Sequence, residues 1–301
     1  MTLSGNQYEI FAGPYEAVVT EQGGSLRTLC HDGRPLILSH DADEPVPAAG
    51  GQLLAPWPNR VDHGRYRFGG EPYQLPIDEA ERDNAIHGLV RWESWTVAEH
   101  ERHRVRLTHR LLGHPGYPFR LDLTVEYALD ASHGLTVRLS ACNTGSRAAP
   151  YGHGAHPYLT LGRPIDECEL TVPADRYLEV DERAIPERTP RDVAGTPYDF
   201  GTPRRLGDTV IDNPYTGLRR DAGGRAWVRL GDGERSVALW ADESHPWLEL
   251  YTRDEVRDDS TRAGLGAEPM TCPPNAFATG TDLIVLKSGE EFTGSWGIAA
   301  E

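Results

Sequence analysis

Four short segments hold the side chains best suited to moving protons or gripping a polar ligand. PYGHGAHPYLTL (150–161) sets His153 and His156 three residues apart among glycine, proline and apolar residues. DNAIHGLVRW (83–92) carries His87 ahead of a glycine. In LLAPWPNRVDHGRYRF (53–68), Asn59-Arg60 ends a proline-bracketed loop that includes Trp57. GLGAEPMTCPPNAF (264–277) places Glu268 among small and apolar residues, with Arg262 its nearest charged neighbour in the chain. Imidazole is the side chain best matched to proton transfer near neutral pH. A carboxyl in apolar surroundings holds its proton more firmly and becomes a useful base.

Each segment also has a plainer reading. Loop histidines often cap strand ends, a loop arginine often pairs with a carboxylate to hold the loop, and an exposed glutamate would look like Glu268 in sequence. A metal site would need two converging imidazoles and a further ligand. The spacing of three suits a helix, but Gly152, Gly154 and Pro157 oppose one. No other His, Cys, Asp or Glu cluster has ligand spacing, so a metal is not expected.

The elements that must position these residues read as strands. Phe119, Leu121, Leu123, Val125, Tyr127 and Leu129 alternate with mostly polar residues. This is the period-two pattern of a strand with one buried face. DASHG (130–134) interrupts it, and Leu135, Val137, Leu139 and Ala141 resume it, which predicts a hairpin. Further strands are expected at Ala17–Thr20, Val105–Leu111, Trp227–Leu230, Val237–Trp240 and Trp247–Tyr251. No window shows a helical stripe. Many short strands separated by turns predict an all-β fold of antiparallel sheets packed as a large β-sandwich or barrel, in one domain over 1–301. Segments 40–60, 145–160 and 253–280 are rich in glycine and proline and are expected to be loops that carry the site.

Composition narrows the function. The chain of 301 residues has 46 Asp+Glu against 30 Lys+Arg, a net charge of -16. Nucleic acids and anionic lipids both need a basic surface, so neither is an expected partner. The four cysteines lack any Cys-x-x-Cys spacing, which disfavours a zinc ribbon and suits reduced thiols. With no secretory pattern at the start and no apolar run of membrane-spanning length, a cytoplasmic protein is expected.

Taken in order, Asn59-Arg60, Ile86-His87-Gly88, His156-Pro157-Tyr158 and Glu268-Pro269-Met270 followed by PPNAF resemble the aldose 1-epimerase (galactose mutarotase) family. The tail LIVLKSGEEFTGSWGI is similar to the family's closing strands, so the resemblance runs over nearly the whole chain. It implies a galactose mutarotase-like supersandwich that interconverts α and β anomers of a free hexose such as glucose or galactose, without a cofactor. It also implies Glu268 as base, His156 as acid, His87 as the second active-site histidine and Arg60 as a substrate-binding residue. A sugar-binding aspartate is implied too. Asp212 fits best, with Asp199 and Asp208 as competitors. His153 has no counterpart and reads as structural. Asn59 would bind the sugar beside Arg60, and Trp57 would stack on its apolar face. The partner is a small sugar, and the protein a monomer or homodimer.

The chemistry agrees with those residue types. Opening the ring removes a proton from the C1 hydroxyl and gives one to the ring oxygen, and reclosure on the other face reverses both. Unperturbed values of ~4.3 for glutamate and ~6.5 for histidine would give only a narrow window with the base ionised and the acid protonated. Activity at neutral pH is therefore expected to need a raised histidine pKa. The rival readings are a non-catalytic carbohydrate-binding protein, a glycoside hydrolase using Glu268 and Asp212, and a hexose-6-phosphate 1-epimerase drawing on Arg65, Arg67 and Arg82.

Overall fold

The computed structural model describes residues 2–254 and 261–301. Its framework is two antiparallel sheets. One has nine strands in the order Thr96–Glu101, Arg104–Leu111, Leu121–Asp130, Gly134–Asn143, Glu291–Ala300, Ser236–Ala241, Ala226–Gly231, Glu169–Thr171 and Arg204–Arg205. The other runs Arg191–Asp192, Ala174–Tyr177, Asp212–Leu218, Trp247–Tyr251, Leu265–Met270, Gly154–Ala155 and Leu53–Leu54, with Tyr158–Leu159 also paired to Leu265–Met270. A four-stranded sheet near the N-terminus (Gln7–Ala12 to Arg34–Pro35) and three two-stranded ribbons complete it. Among the described residues the α-helix content is one short turn, Ala276–Thr279. None of the described helices is long and apolar enough to cross a membrane.

The hairpin read from alternation forms as Leu121–Asp130 and Gly134–Asn143, with Asp130 opposite Gly134. Asp130 Oδ1 accepts the Ser132 and His133 amides at 2.8 and 2.9 Å. Gly134 takes a φ of 77°, open to glycine at little cost. Leu123, Val125 and Tyr127 face Ala141, Leu139 and Val137 on one side of the sheet, and all six are buried. They join one hydrophobic cluster with Leu248, Leu250, Leu265 and Ala267 of the second sheet. Burying such side chains at about 25 cal/mol per Å2 is the main force holding the layers together.

One expectation about loops is corrected. Leu265–Met270, inside the supposed loop 253–280, is a central strand with every residue buried. Alternation is invisible there because the strand is covered on both faces and includes Gly266 and Pro269. Residues 255–260 of that segment lie outside the described residues.

Candidate active site

Strand alternation divides the second sheet into two faces. Leu248, Leu250, Leu265 and Ala267 point into the core, so Trp247, Glu249, Tyr251, Glu268 and Met270 point the other way. Asp212 pairs with Tyr251 and Tyr158 with Gly266, which brings both onto that outer face. A cleft of about 250 Å3 opens there, lined by Asn59, Arg60, Asp78, Glu79, His87, Arg91, His156, Tyr158, Asp212, Tyr251 and Glu268 among others. Glu268, His156, His87, Arg60, Asp212 and Asn59 therefore converge from five separated parts of the chain.

The centre of the cleft is a buried histidine–carboxyl pair. His156 Nε2 lies 3.1 Å from Glu268 Oε1, while Glu268 Oε2 and His156 Nδ1 are buried with no hydrogen-bond partner among the described residues. His87 meets His156 edge to face at 5.3 Å between ring centroids. Burial raises Glu268 well above the ordinary carboxylate range, and the charge of Asp212 adds to this. Burial also takes His156 down to about 3, helped by the positive charges of Arg91, Arg253 and Arg60. His87 is pushed well down by burial and then by His156. The expected rise of the histidine pKa is thus reversed, because loss of water disfavours the charged ring.

The surrounding ribbon holds these groups by strained but supported backbone. Arg60–Asp62 pairs with Asn84–Ile86, so Arg60 faces Ile86. Asn59 and His87 flank the ribbon with φ of 51° and 62°, and the His87 amide donates to the Asn59 carbonyl at 2.9 Å. Gly88 lets this corner close, since a Cβ there would sit 2.1 Å from the Ala55 carbonyl oxygen. Arg60 is clamped by Glu79, with Nε and Nη2 donating at 2.9–3.1 Å. Burial would raise Glu79, but the bonds and charge of Arg60 outweigh it and hold it low. Arg60 thus has the structural partner foreseen as its plainer reading, and it also lines the cleft.

Several residues fall elsewhere than expected. Trp57 is not in the cleft: it is 2% exposed and packs against Phe277, 5.5 Å between centroids, so it cannot stack on a ligand there. Tyr158 and Tyr251 are the cleft's aromatic rings. Asp199 accepts the Gly201 amide in a turn, and neither it nor Asp208 lines the cleft. Arg65 and Arg67 bond within their own hairpin, to Gln74 and Gly70, which leaves Arg82 as the one of the three candidate phosphate ligands lining the cleft. His153 is buried away from it, with Nδ1 2.9 Å from the Tyr151 hydroxyl.

Sequence reasoning missed Glu79, Asp78, Arg91 and Glu249. Glu249 had a signal: in the strand WLELY it sits at an alternating position between two core leucines, on the same face as Trp247 and Tyr251. The ion pairs Arg60–Glu79 and Arg91–Asp78 (2.8 Å) span 19 and 13 residues and have no local pattern to reveal them.

The fold is an all-β class of antiparallel sheets, and comparison with known proteins gives its family. Residues 7–298 match the family model for aldose 1-epimerase, and the chain belongs to that family. It is 36% identical to Escherichia coli YihR, covering 96% of this chain and 92% of that protein. It is 31% identical to mouse galactose mutarotase over 78% of this chain and 73% of that one. Among solved structures, the Caenorhabditis elegans GalM/aldose epimerase homologue superposes with a TM-score of 0.87 at 18% identity, covering 98% of both chains. Galactose 1-epimerase from Lactobacillus acidophilus gives 0.83 at 24% identity, over 96% of this chain and 92% of that one.

Proposed function

We propose that the protein is a cofactor-independent aldose 1-epimerase that interconverts the α and β anomers of a free hexose. The observation that carries this reading is the buried His156–Glu268 contact, whose second carboxyl oxygen is left without a donor inside the cleft. The two oxygens of the acetal, ring oxygen and C1 hydroxyl, are bonded to one carbon. An acid and a base 3.1 Å apart suit such neighbouring atoms.

The pair carries one proton in either of two forms, Glu268-COOH with neutral imidazole or Glu268 carboxylate with imidazolium. Burial favours the first before sugar binds. Ring opening in one direction starts from the carboxylate–imidazolium form, with Glu268 taking the hydroxyl proton and His156 protonating the ring oxygen. It leaves the neutral form, and ring closure reverses both transfers. The two forms have the same net charge, but the second places two charges in the buried site, a cost that their mutual attraction and the hydrogen bonds of a bound sugar must offset. His87 stands beside His156 to hydrogen-bond the ring-oxygen region, and Asp212, Arg60 and Asn59 hold hydroxyls. Arg60, Arg82 and Arg91 already carry carboxylates, which favours an uncharged sugar over a phosphorylated one.

Polarimetry of freshly dissolved α-glucose and α-galactose, with and without the protein, tests the reading. Faster relaxation to the anomeric equilibrium is expected. Binding of either sugar without acceleration would make the protein a carbohydrate-binding member of the fold.

A further inference from the structure

Glu268 has a carboxyl neighbour that the acid–base reading leaves without a task. Glu249 stands directly opposite it in the register of Trp247–Tyr251 and Leu265–Met270. Opposed residues of an antiparallel pair share a face, with Cβ atoms about 4.5–5.5 Å apart. Both glutamates are 2% exposed, and Glu249 does not line the cleft. Its Oε2 accepts a hydrogen bond from Asn59 Nδ2 at 3.3 Å.

The groups facing Glu249 come from every packed element. Glu268 lies on one neighbouring strand, Asp212 on the other with Pro214 directly opposite Glu249, and Arg60 and Asn59 approach from the ribbon. His156 lies beyond Glu268. Arg60 is the cation that acts on both glutamates, and it is already bound to Glu79. Asp212 also draws on that cation, and the four carboxyl groups of Glu79, Asp212, Glu249 and Glu268 cannot all ionise at ordinary pH.

We propose that Glu249 is a positioning residue for the reaction: paired across the sheet with Glu268, it governs how firmly Glu268 keeps its proton, because a charge on either buried carboxyl makes the other harder to ionise. This rests on the acid–base role proposed for Glu268 above. Burial first, then the charges of Asp212 and Glu268, raise Glu249 well above the usual range. Two such groups release their protons in two steps that belong to the pair. Removing Glu249's acidity leaves Glu268 a single step at lower pH.

The test is a pH titration of the Glu268 carboxyl carbon by NMR in glutamate-labelled protein, assigned by its loss in Glu268→Gln. It is run on the wild type, Glu249→Gln and Glu249→Asp, alongside kcat and KM against pH. Glu249→Gln should move the Glu268 titration down by about one pH unit or more. The alkaline limb of kcat/KM should follow, with KM little changed. Glu249→Asp, which keeps a retracted carboxyl, should give a smaller shift in the same direction and serves if the glutamine variant does not fold. Superimposable Glu268 titrations would overturn the proposal, and so would a raised KM with an unshifted titration, which marks a ligand contact. A wild type without mutarotase activity would sink the functional reading, while the NMR titration would still decide whether the two carboxyls are coupled.

Discussion

The molecule contains two histidine–carboxylate clusters of nearly the same composition. At the cleft, His156 contacts Glu268 at 3.1 Å and His87 edge to face at 5.3 Å. In the interior, His245 contacts Asp242 at 3.0 Å and His153 edge to face at 5.1 Å. Each cluster leaves buried ring nitrogens without a partner, and the difference lies in what the carboxylate leaves unbonded. Asp242 also accepts from the Ser244 hydroxyl and from the Ser295 amide at 2.8 Å. Burial works to raise Asp242, but the hydrogen bonds from His245 and Ser244 outweigh it and hold it at about 2. A Cβ on Gly294 would fall 2.8 Å from His153 Nε2, so the strand Glu291–Ala300 closes that cluster off. Glu268 keeps a free oxygen and a raised pKa, and its cluster opens on a cleft. A carboxylate saturated with donors holds structure, whereas one left short of donors can do chemistry.

Removing each carboxylate should separate the clusters most sharply. Glu268→Gln is expected to lower kcat by about 10²–10⁴-fold while sugar binding largely survives. Asp242→Asn should leave kcat within a few-fold but cost about 1–2 kcal/mol of stability by weakening charged hydrogen bonds. Polarimetric kinetics and thermal melts of both variants check the pair. Near-normal turnover in Glu268→Gln would erase the distinction.

The histidines give the next contrast. His156→Asn should cripple turnover by about 10²-fold or more, whereas His153→Asn should change it only modestly, because its ring lies outside the cleft. EDTA should leave wild-type activity intact. Loss restored by a divalent ion would turn the His153–His156 spacing back into a metal question.

The pH profile tests the protonation argument. The pair works while it holds one proton. Activity should fall on the acid side as His156 takes a second proton, near about 3. It should fall on the alkaline side as Glu268 loses its own, well above 4.5. The broad plateau between them replaces the narrow window of unperturbed groups, and limbs at the ordinary values of ~4.3 and ~6.5 would refute it.

The smallest effects are on stability. Asp242, depressed from 3.8 to about 2, stabilises the fold above 3.8, and that contribution disappears as pH falls through about 2. Glu268 has the opposite sign: its raised value means the folded state binds a proton that the unfolded chain releases, so its cost grows as pH rises above 4.5. Melts against pH should show Asp242→Asn losing its deficit at low pH. Glu268→Gln should gain on the wild type as pH rises.

Legibility followed the same physics. The hairpin Leu121–Asp130 with Gly134–Asn143 could be read because one face is wet, so alternation survives in the residues. The strand Leu265–Met270 could not, since both its faces are buried. His87, His156, Arg60 and Glu268 were recognisable from short motifs in order, and the cleft holds all four. Trp57 was misplaced because sequence shows that an aromatic is near a loop, not which way it points. Glu79 and Glu249 were missed because their partners are distant in the chain.

Alternation and turn residues are local properties of the chain, and they were enough to specify antiparallel sheets. The sequence by itself also determined which acid, base and cation types were available. The motifs in order already separated His156 from His153, and packing then sealed His153 behind Gly294 while His156 opens on the cleft. Only the tertiary structure decided that Glu249 stands across from Glu268 and that burial reverses the protonation expected of His156. Those outcomes depend on strand register and on water excluded by residues far apart in sequence, and neither is written in any short stretch of the chain.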